Sequence, residues 1–172
     1  MSTEGGLSMT STAERLRLRA ADAEDLAVIA ACLQDARIPL REMAYVIAER
    51  RFLAAFTRYR REALTDPRSC AGLTETAAAI VFEEIEAVRY RGIDTAQRDR
   101  ELTLLTIATA PGRERLVHIE LIFEGDARIQ LQTDRIRARL EDFGEPRLSA
   151  TTPCDHEACE LPGWLESYDY KG

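Results

Sequence analysis

The chain has 172 residues, of which 45% are hydrophobic and 31% charged, and its formal net charge is −7. This length suffices for one ordinary domain, and the composition is typical of a globular protein rather than a disordered one. The acidic balance argues against general nucleic-acid binding, because affinity for phosphate depends on positive charge. No window of about 18 apolar residues predicts a membrane span.

The ends of the chain and its cysteines indicate a cytoplasmic protein. Residues 1–14 are rich in Ser, Thr and Gly and do not resemble a signal peptide. The cysteines at positions 32, 70, 154 and 159 do not form a small secreted disulfide framework, and Cys32 is expected to be a free, buried thiol. We expect flexible residues 1–13, one domain over residues 14–147, and a tail over residues 148–172.

The first elements are a short strand and a helix. Residues 16–19 alternate apolar and polar side chains, which is typical of a strand. Asp22 is placed to cap a helix, Glu24 and Asp25 suit its positive end, and apolar residues recur at helical spacing from position 26 to 33. Pro39 prevents this helix from continuing.

Residues 43–47 and 52–60 are predicted to be two strands joined by a four-residue hairpin loop at 48–51. Alternation of Phe52, Ala54 and Phe56 favours strands, although one long helix is the alternative because Ala, Arg and Glu are good helix formers. Residues 65–76 contain Asp-Pro and Gly signals and are predicted to form a loop.

Residues 78–93 do not keep one alternation. Ile80 and Phe82 fit a single strand, but the apolar residues after them change phase. A bulge or corner near Glu83 and Glu84 explains this, because one extra residue exchanges the two faces of a strand.

Three clearer strands follow at residues 102–109, 116–123 and 128–132. Gly125 and Asp126 supply the positive φ that a tight hairpin between the last two requires. His118 is predicted to lie mid-strand, opposite the apolar face. Asp134 is expected to cap a final helix, which Gly144 and Pro146 end.

The fold class is therefore predicted to be α+β. We expect a mostly antiparallel curled sheet or partly open barrel of about six or seven strands, with one helix on the N-terminal side and one C-terminal helix. This order is reminiscent of the pleckstrin-homology-like topology, which hosts unrelated functions.

Four runs carry a family resemblance: LRLRAADAEDLAVI (16–29), ERRF (49–52), AVRYRGI (87–93) and ARLEDFGEP (138–146). With them the chain resembles an uncharacterised bacterial domain-of-unknown-function family over roughly residues 14–147. The resemblance implies a bacterial cytoplasmic protein and brings no activity with it.

Two Arg-Tyr clusters are candidate binding residues. Each ends a predicted strand, and together they comprise Arg58, Tyr59, Arg60, Arg89, Tyr90 and Arg91. If the two strands are neighbours, these residues form a cationic face for an anionic ligand, an acidic partner or RNA. The alternative is a solvated face on which the arginines pair with Glu62, Glu83, Glu84 and Glu86.

The tail contains two further candidates. Cys154, His156 and Cys159 are zinc-compatible side chains in one short segment, although a structural zinc site needs a fourth ligand. A redox-labile thiol pair and an unstructured polar tail are the alternatives. Four apolar or aromatic residues after them are placed to dock on the domain or to contact a partner: Trp164, Leu165, Tyr168 and Tyr170.

No catalytic or cofactor motif is present in the sequence, so no catalytic residue is assigned and no cofactor is expected beyond the possible zinc. The sequence favours a non-catalytic binding or regulatory domain for a protein partner or a small anionic ligand. The alternatives are an enzyme with a carboxylate and arginine site, and a local RNA or phosphate binder that uses the Arg-Tyr face. The oligomeric state does not follow from the sequence.

Overall fold

The computed structural model describes residues 15–66 and 68–150. Within them lie one α-helix, α1 (Ala23–Cys32), and eleven strands. The strands are β1 (Arg17–Ala20), β2 (Arg37–Pro39), β3 (Met43–Val46), β4 (Arg51–Tyr59), β5 (Thr74–Phe82), β6 (Ile85–Arg91), β7 (Glu101–Pro111), β8 (Val117–Phe123), β9 (Arg128–Thr133), β10 (Ala138–Asp142) and β11 (Arg147–Leu148).

Helix α1 forms as its sequence predicts. The side chain of Asp22 accepts a hydrogen bond from the backbone N–H of Asp25, and both Glu24 and Asp25 lie in the first turn. Leu26 and Ile29 are buried on the face that packs against β1 and β7. The helix therefore covers the sheet with its apolar stripe.

The strands form an open sheet whose main order is β1-β10-β5-β4-β2-β7-β8-β9-β6. Strand β3 pairs with β4 and β11 pairs with β5, beside this path. The pairings are antiparallel. Some paired strands, such as β8 and β9, are consecutive and joined by a hairpin, whereas others, such as β1 and β10, are far apart in the chain. The predicted hairpins at β3–β4 and β8–β9 are confirmed, and Gly125 and Asp126 have the expected positive φ values of 75° and 61°.

The predicted corner between β5 and β6 is also confirmed. Glu84 has a φ of 58°, and the chain leaves the neighbourhood of β4 and β10 there to pair with β9. The N–H of Glu83 donates to the carbonyl of Arg137, so the β9–β10 connection passes the same corner. The Thr133 hydroxyl lies within hydrogen-bond distance of the Glu84 carbonyl at 2.9 Å.

The core consists of the inward side chains of the sheet and the covered face of α1. Strands β4, β5, β8 and β9 each bury every second residue, which is the alternation of a half-exposed sheet. The largest fully buried apolar side chains are Phe52, Phe56, Phe82, Phe123, Leu26, Ile29, Leu33, Ile38, Ile80, Ile85 and Leu104.

The predicted C-terminal helix is wrong, and the sheet has more strands than the six or seven expected. Residues 138–142 form β10, which lies between β1 and β5 and bonds to both. Ala138 and Leu140 are buried while Glu141 is exposed, a period of two. The helix propensity of these residues is therefore outweighed by hydrogen bonding to a strand on each side. The order of elements that suggested a pleckstrin-homology-like topology therefore lacks the closing helix.

Candidate functional site

A cleft of about 410 Å³ lies on the outer face of β6, β9 and β8. Its lining residues are Arg89, Tyr90, Arg91, His118, Glu120, Arg128 and Gln130. Three strands therefore bring together one of the two predicted Arg-Tyr clusters and four residues that were not among the predicted site residues.

Strand alternation places these side chains on the outer face, except that of Tyr90, which lies opposite the buried Ile129. In the register of the sheet, Arg91 lies opposite Arg128, while Gln130 lies between Arg89 on one side and Glu120 on the other. The alternate residues on β8 and β9 point to the core and are fully buried: Ile119, Leu121, Ile129 and Leu131. The buried residues fix the strands, and the polar residues follow from the same period of two.

The cleft has an excess of positive charge. It contains three arginines and one glutamate, and only Arg128 pairs with that glutamate, at 3.3 Å between Nη1 and Glu120 Oε1. Gln130 donates to the other carboxylate oxygen of Glu120, also at 3.3 Å. The side chains of Arg89 and Arg91 make no hydrogen bond or ion pair to any residue that the structure describes.

Tyr90 and His118 complete the lining. Tyr90 is 40% exposed, and burial of the rest raises the pKa of its hydroxyl, an effect that the charge of Arg98 partly offsets. His118 is half-buried on the same face of β8 as Glu120, two residues away. Its predicted position opposite the apolar face is confirmed, but the sequence did not indicate that this position opens into a cleft.

Arginine determines what the cleft can bind. A guanidinium donates a fork of parallel hydrogen bonds to a carboxylate or a phosphate. Arg89 and Arg91 offer two such forks without a carboxylate partner in the described part of the chain, and Arg128 lies beside them. This arrangement matches a compact anion. Gln130 adds a neutral polar group that can orient such a ligand.

The other predicted Arg-Tyr cluster has a different environment. Strand β4 does not neighbour β6 in the sheet order, so the condition for one shared cationic face is not met. The side chain of Arg58 is fully buried and bonds to Asp142 and Glu62. This arginine joins elements of the fold instead of facing solvent.

Tyr59 and Arg60 are also engaged within the domain. The guanidinium groups of Arg37 and Arg61 each lie 5.6 Å from the centre of the buried Tyr59 ring, one cation–π contact apiece. Arg60 donates to the hydroxyl of Thr74 at 3.0 Å.

The glutamates considered as alternative partners pair elsewhere. Glu62 does pair with Arg58, but Glu83 and Glu84 pair with arginines of the β9–β10 region and Glu86 pairs with Arg50. These four carboxylates therefore leave Arg89 and Arg91 unneutralised.

The tail predictions lie outside the described residues. They concern the zinc-compatible set Cys154, His156 and Cys159 and the apolar and aromatic set Trp164, Leu165, Tyr168 and Tyr170. Across residues 15–66 and 68–150, no three His, Cys, Asp or Glu side chains are grouped to hold a metal ion. Over the same residues, no helix has the length and apolar character needed to cross a membrane.

The described residues form an antiparallel β domain with one α-helix and a cationic cleft on the outer face of β6, β8 and β9. The chain belongs to the DUF2948 family, described as proteins of unknown function, whose model matches residues 16–156. The predicted resemblance to a domain-of-unknown-function family is thus confirmed. No curated protein and no solved structure matches the chain.

Proposed function

We propose that this protein is a non-catalytic binding domain for a small anionic ligand, which it holds in the cleft of β6, β8 and β9. One observation carries the proposal. Arg89 and Arg91 face the same cleft as Arg128, and neither has an acidic partner in the described part of the chain. Unneutralised guanidinium groups at adjacent sites repel one another, and an anion between them relieves that repulsion.

The size of the cleft suits a small molecule. A volume of about 410 Å³ lies in the range of ligand sites, which are roughly 300–1,000 Å³. The charge of the cleft contrasts with the net charge of −7 of the whole chain, so the positive potential is local. Long-range attraction of extended nucleic acid is correspondingly weak, whereas short-range contact with a compact anion is not.

Binding is favoured over catalysis by the state of the carboxylate in the cleft. Glu120 accepts from both Arg128 and Gln130, so it is held as a partner of the cleft's own side chains. The positive charge without an acidic partner among the described residues belongs to Arg89 and Arg91, and a guanidinium binds anions but does not act as a general base near neutral pH. We further propose the bacterial cytoplasm as the setting, as expected from the sequence.

Calorimetric titration with a panel of anions tests the proposal, with phosphate, pyrophosphate and citrate as probes. We expect saturable binding of at least one of them, and a loss of tenfold or more in the double variant Arg89→Gln/Arg91→Gln. The matched control is Arg17→Gln/Arg19→Gln, which removes the same charge from exposed alternate positions of β1, at the opposite end of the sheet. Equal weakening in both double variants contradicts a specific site.

A second candidate is an enzyme that acts on the same anion, and His118 is the observation in its favour. An imidazole in an arginine-rich cleft is suited to proton transfer to or from a bound anion. Phosphorus NMR of phosphate-bearing ligands incubated with the protein tests this. Turnover that is lost in His118→Asn while binding persists supports an enzyme, and unchanged spectra contradict it.

A further inference from the structure

Among the described strands, β6 ends the sheet on one side and pairs only with β9. From Glu86 to Arg91, the backbone makes no hydrogen bond to any described segment apart from β9. The edge is held at its two ends: the N–H of Ile85 donates to the carbonyl of Arg50, and Arg100 donates to the carbonyl of Gly92. Between these points, the outward backbone donors and acceptors of β6 have no partner within residues 15–66 and 68–150.

The second half of this edge carries only positive charge, whereas Glu86 in its first half pairs with Arg50. Arg89 and Arg91 stand two residues apart on the outer face, and Tyr90 between them points the other way with 40% of its surface exposed. A strand added to β6 places its own alternate side chains about 5 Å from these residues. Acidic side chains opposite the arginines and an apolar one opposite Tyr90 complete such a pairing.

We propose that β6 is a docking strand for an extended acidic segment of a partner protein. The segment adds to the edge of the sheet through main-chain hydrogen bonds, and its alternate carboxylates pair with Arg89 and Arg91. This inference rests on the proposed function, because the same two arginines line the anion cleft. It goes beyond that function in naming a protein segment and in using the backbone of β6.

Charge decides between this occupant and a second copy of the chain. Two β6 edges brought together place arginines opposite arginines, which is the usual way in which an edge strand is kept from pairing with itself. The same arginines attract an acidic strand. On β1, at the other end of the sheet, Arg17 instead lies opposite Glu141 of β10, which already supplies a negative charge.

NMR titration with a short peptide of alternating Glu and Val tests the proposal, and a Lys-Val peptide serves as the charge control. We expect contacts between the amides of β6 and the Glu-Val peptide. Methylation of alternate peptide nitrogens, on the side that faces β6, is expected to weaken binding at least fivefold, since it removes main-chain donors and keeps the charge. Arg89→Gln/Arg91→Gln weakens binding, and Arg17→Gln/Arg19→Gln does not.

Different results would overturn the anion cleft and the docking strand. Small anions that bind while the Glu-Val peptide does not overturn the docking strand alone. The docking strand is also overturned if methylation in either register changes the affinity of the Glu-Val peptide less than fivefold, or if the Lys-Val peptide binds as well. If neither the small anions nor the peptide binds, both proposals fall.

Discussion

The guanidinium of Arg58 and the carboxylate of Asp142 are joined by two parallel hydrogen bonds, Nε to Oδ1 and Nη2 to Oδ2, each 2.8 Å long. The Arg58 side chain has no exposed surface, and 3% of the Asp142 side chain is exposed. Asp142 also accepts from the N–H of Leu16 at 3.0 Å, so the pair links β4, β10 and the start of β1. Burial opposes the charge of Arg58, but the hydrogen bonds that it donates to Asp142 and Glu62 outweigh this effect and raise its pKa.

Removal of Arg58 is expected to destabilise the fold strongly. Arg58→Met leaves Asp142 buried without its partner, and the loss of one member of such a pair costs about 3–5 kcal/mol of unfolding free energy. Urea denaturation at neutral pH measures it. The partly exposed pair of Arg139 and Glu83 is the control, since Arg139→Gln is expected to cost only about 1 kcal/mol.

A double variant keeps this prediction testable if Arg58→Met fails to fold. Arg58→Met combined with Asp142→Leu removes both charges, and we expect it to recover part of the stability lost in the single variants. Equal stability of Arg58→Met and Arg139→Gln contradicts the assigned role of the buried pair.

The Cys32 thiol is expected to link stability to alkaline pH. Burial raises its pKa from 9.0 to about 11, with Arg58 lowering it and Glu62 and Asp142 raising it. A pKa that is higher in the folded state stabilises the fold below pH 9, and this contribution is lost as the pH rises through 11. Unfolding free energy measured between pH 9 and 11 should therefore fall less steeply in Cys32→Ala.

The same thiol gives a chemical test. Cys32 is free and partly buried, so its protonated form is expected to react slowly with iodoacetamide at neutral pH in the native protein and fast in urea. Peptide mapping by mass spectrometry follows Cys32 separately from the other cysteines. Equal rates in native and unfolded protein contradict the burial of the thiol.

Two glycines with positive φ provide a matched pair for backbone strain. An added Cβ at Gly92, where φ is 70°, lies 2.6 Å from the carbonyl oxygen of Asp126, whereas at Gly125, where φ is 75°, it meets nothing within 4 Å. Gly125→Ala is expected to cost about 1 kcal/mol for the left-handed conformation alone. Gly92→Ala should cost at least about 1 kcal/mol more, because backbone must shift. Equal losses in thermal denaturation contradict the close approach.

The corner between β5 and β6 depends on the buried hydroxyl of Thr133. This hydroxyl lies 2.9 Å from the Glu84 carbonyl and 2.7 Å from the Arg135 carbonyl, and it accepts from the N–H of Arg135 at 3.2 Å. Thr133→Val preserves the shape and leaves these groups unsatisfied, which is expected to cost about 1–3 kcal/mol. Thr133→Ser, which retains the hydroxyl, should be the more stable variant; the opposite order contradicts the assignment.

Much of the fold follows from local patterns. The cap at Asp22, the alternation along β8 and the turn at Gly125 and Asp126 each have one dominant physical cause, so the sequence suffices to predict them. The break at Glu84 was visible as a change of phase. Residues 138–142 were not predictable in this way, because their strand conformation comes from pairing with β1 and β5, which are distant in sequence.

Only part of the site could be predicted from the sequence, for a related reason. Arg89 and Arg91 stood out as charged residues at the end of a strand, but Arg128, Glu120 and His118 join them only through the register of three strands. Arg58 was misleading because its sequence context resembles that of Arg89. Only the three-dimensional position of Asp142 distinguishes a buried arginine from an exposed one.

We propose that the outer face of β6, β8 and β9 binds an anion. Titration of the isotope-labelled protein with pyrophosphate, followed by amide chemical shifts, tests this. We predict saturable shifts clustered at Arg89, Arg91 and Arg128 and their neighbours, and their loss in Arg89→Gln/Arg91→Gln. Shifts that do not saturate, or that cluster instead at Arg17 and Arg19 of β1, would contradict the account.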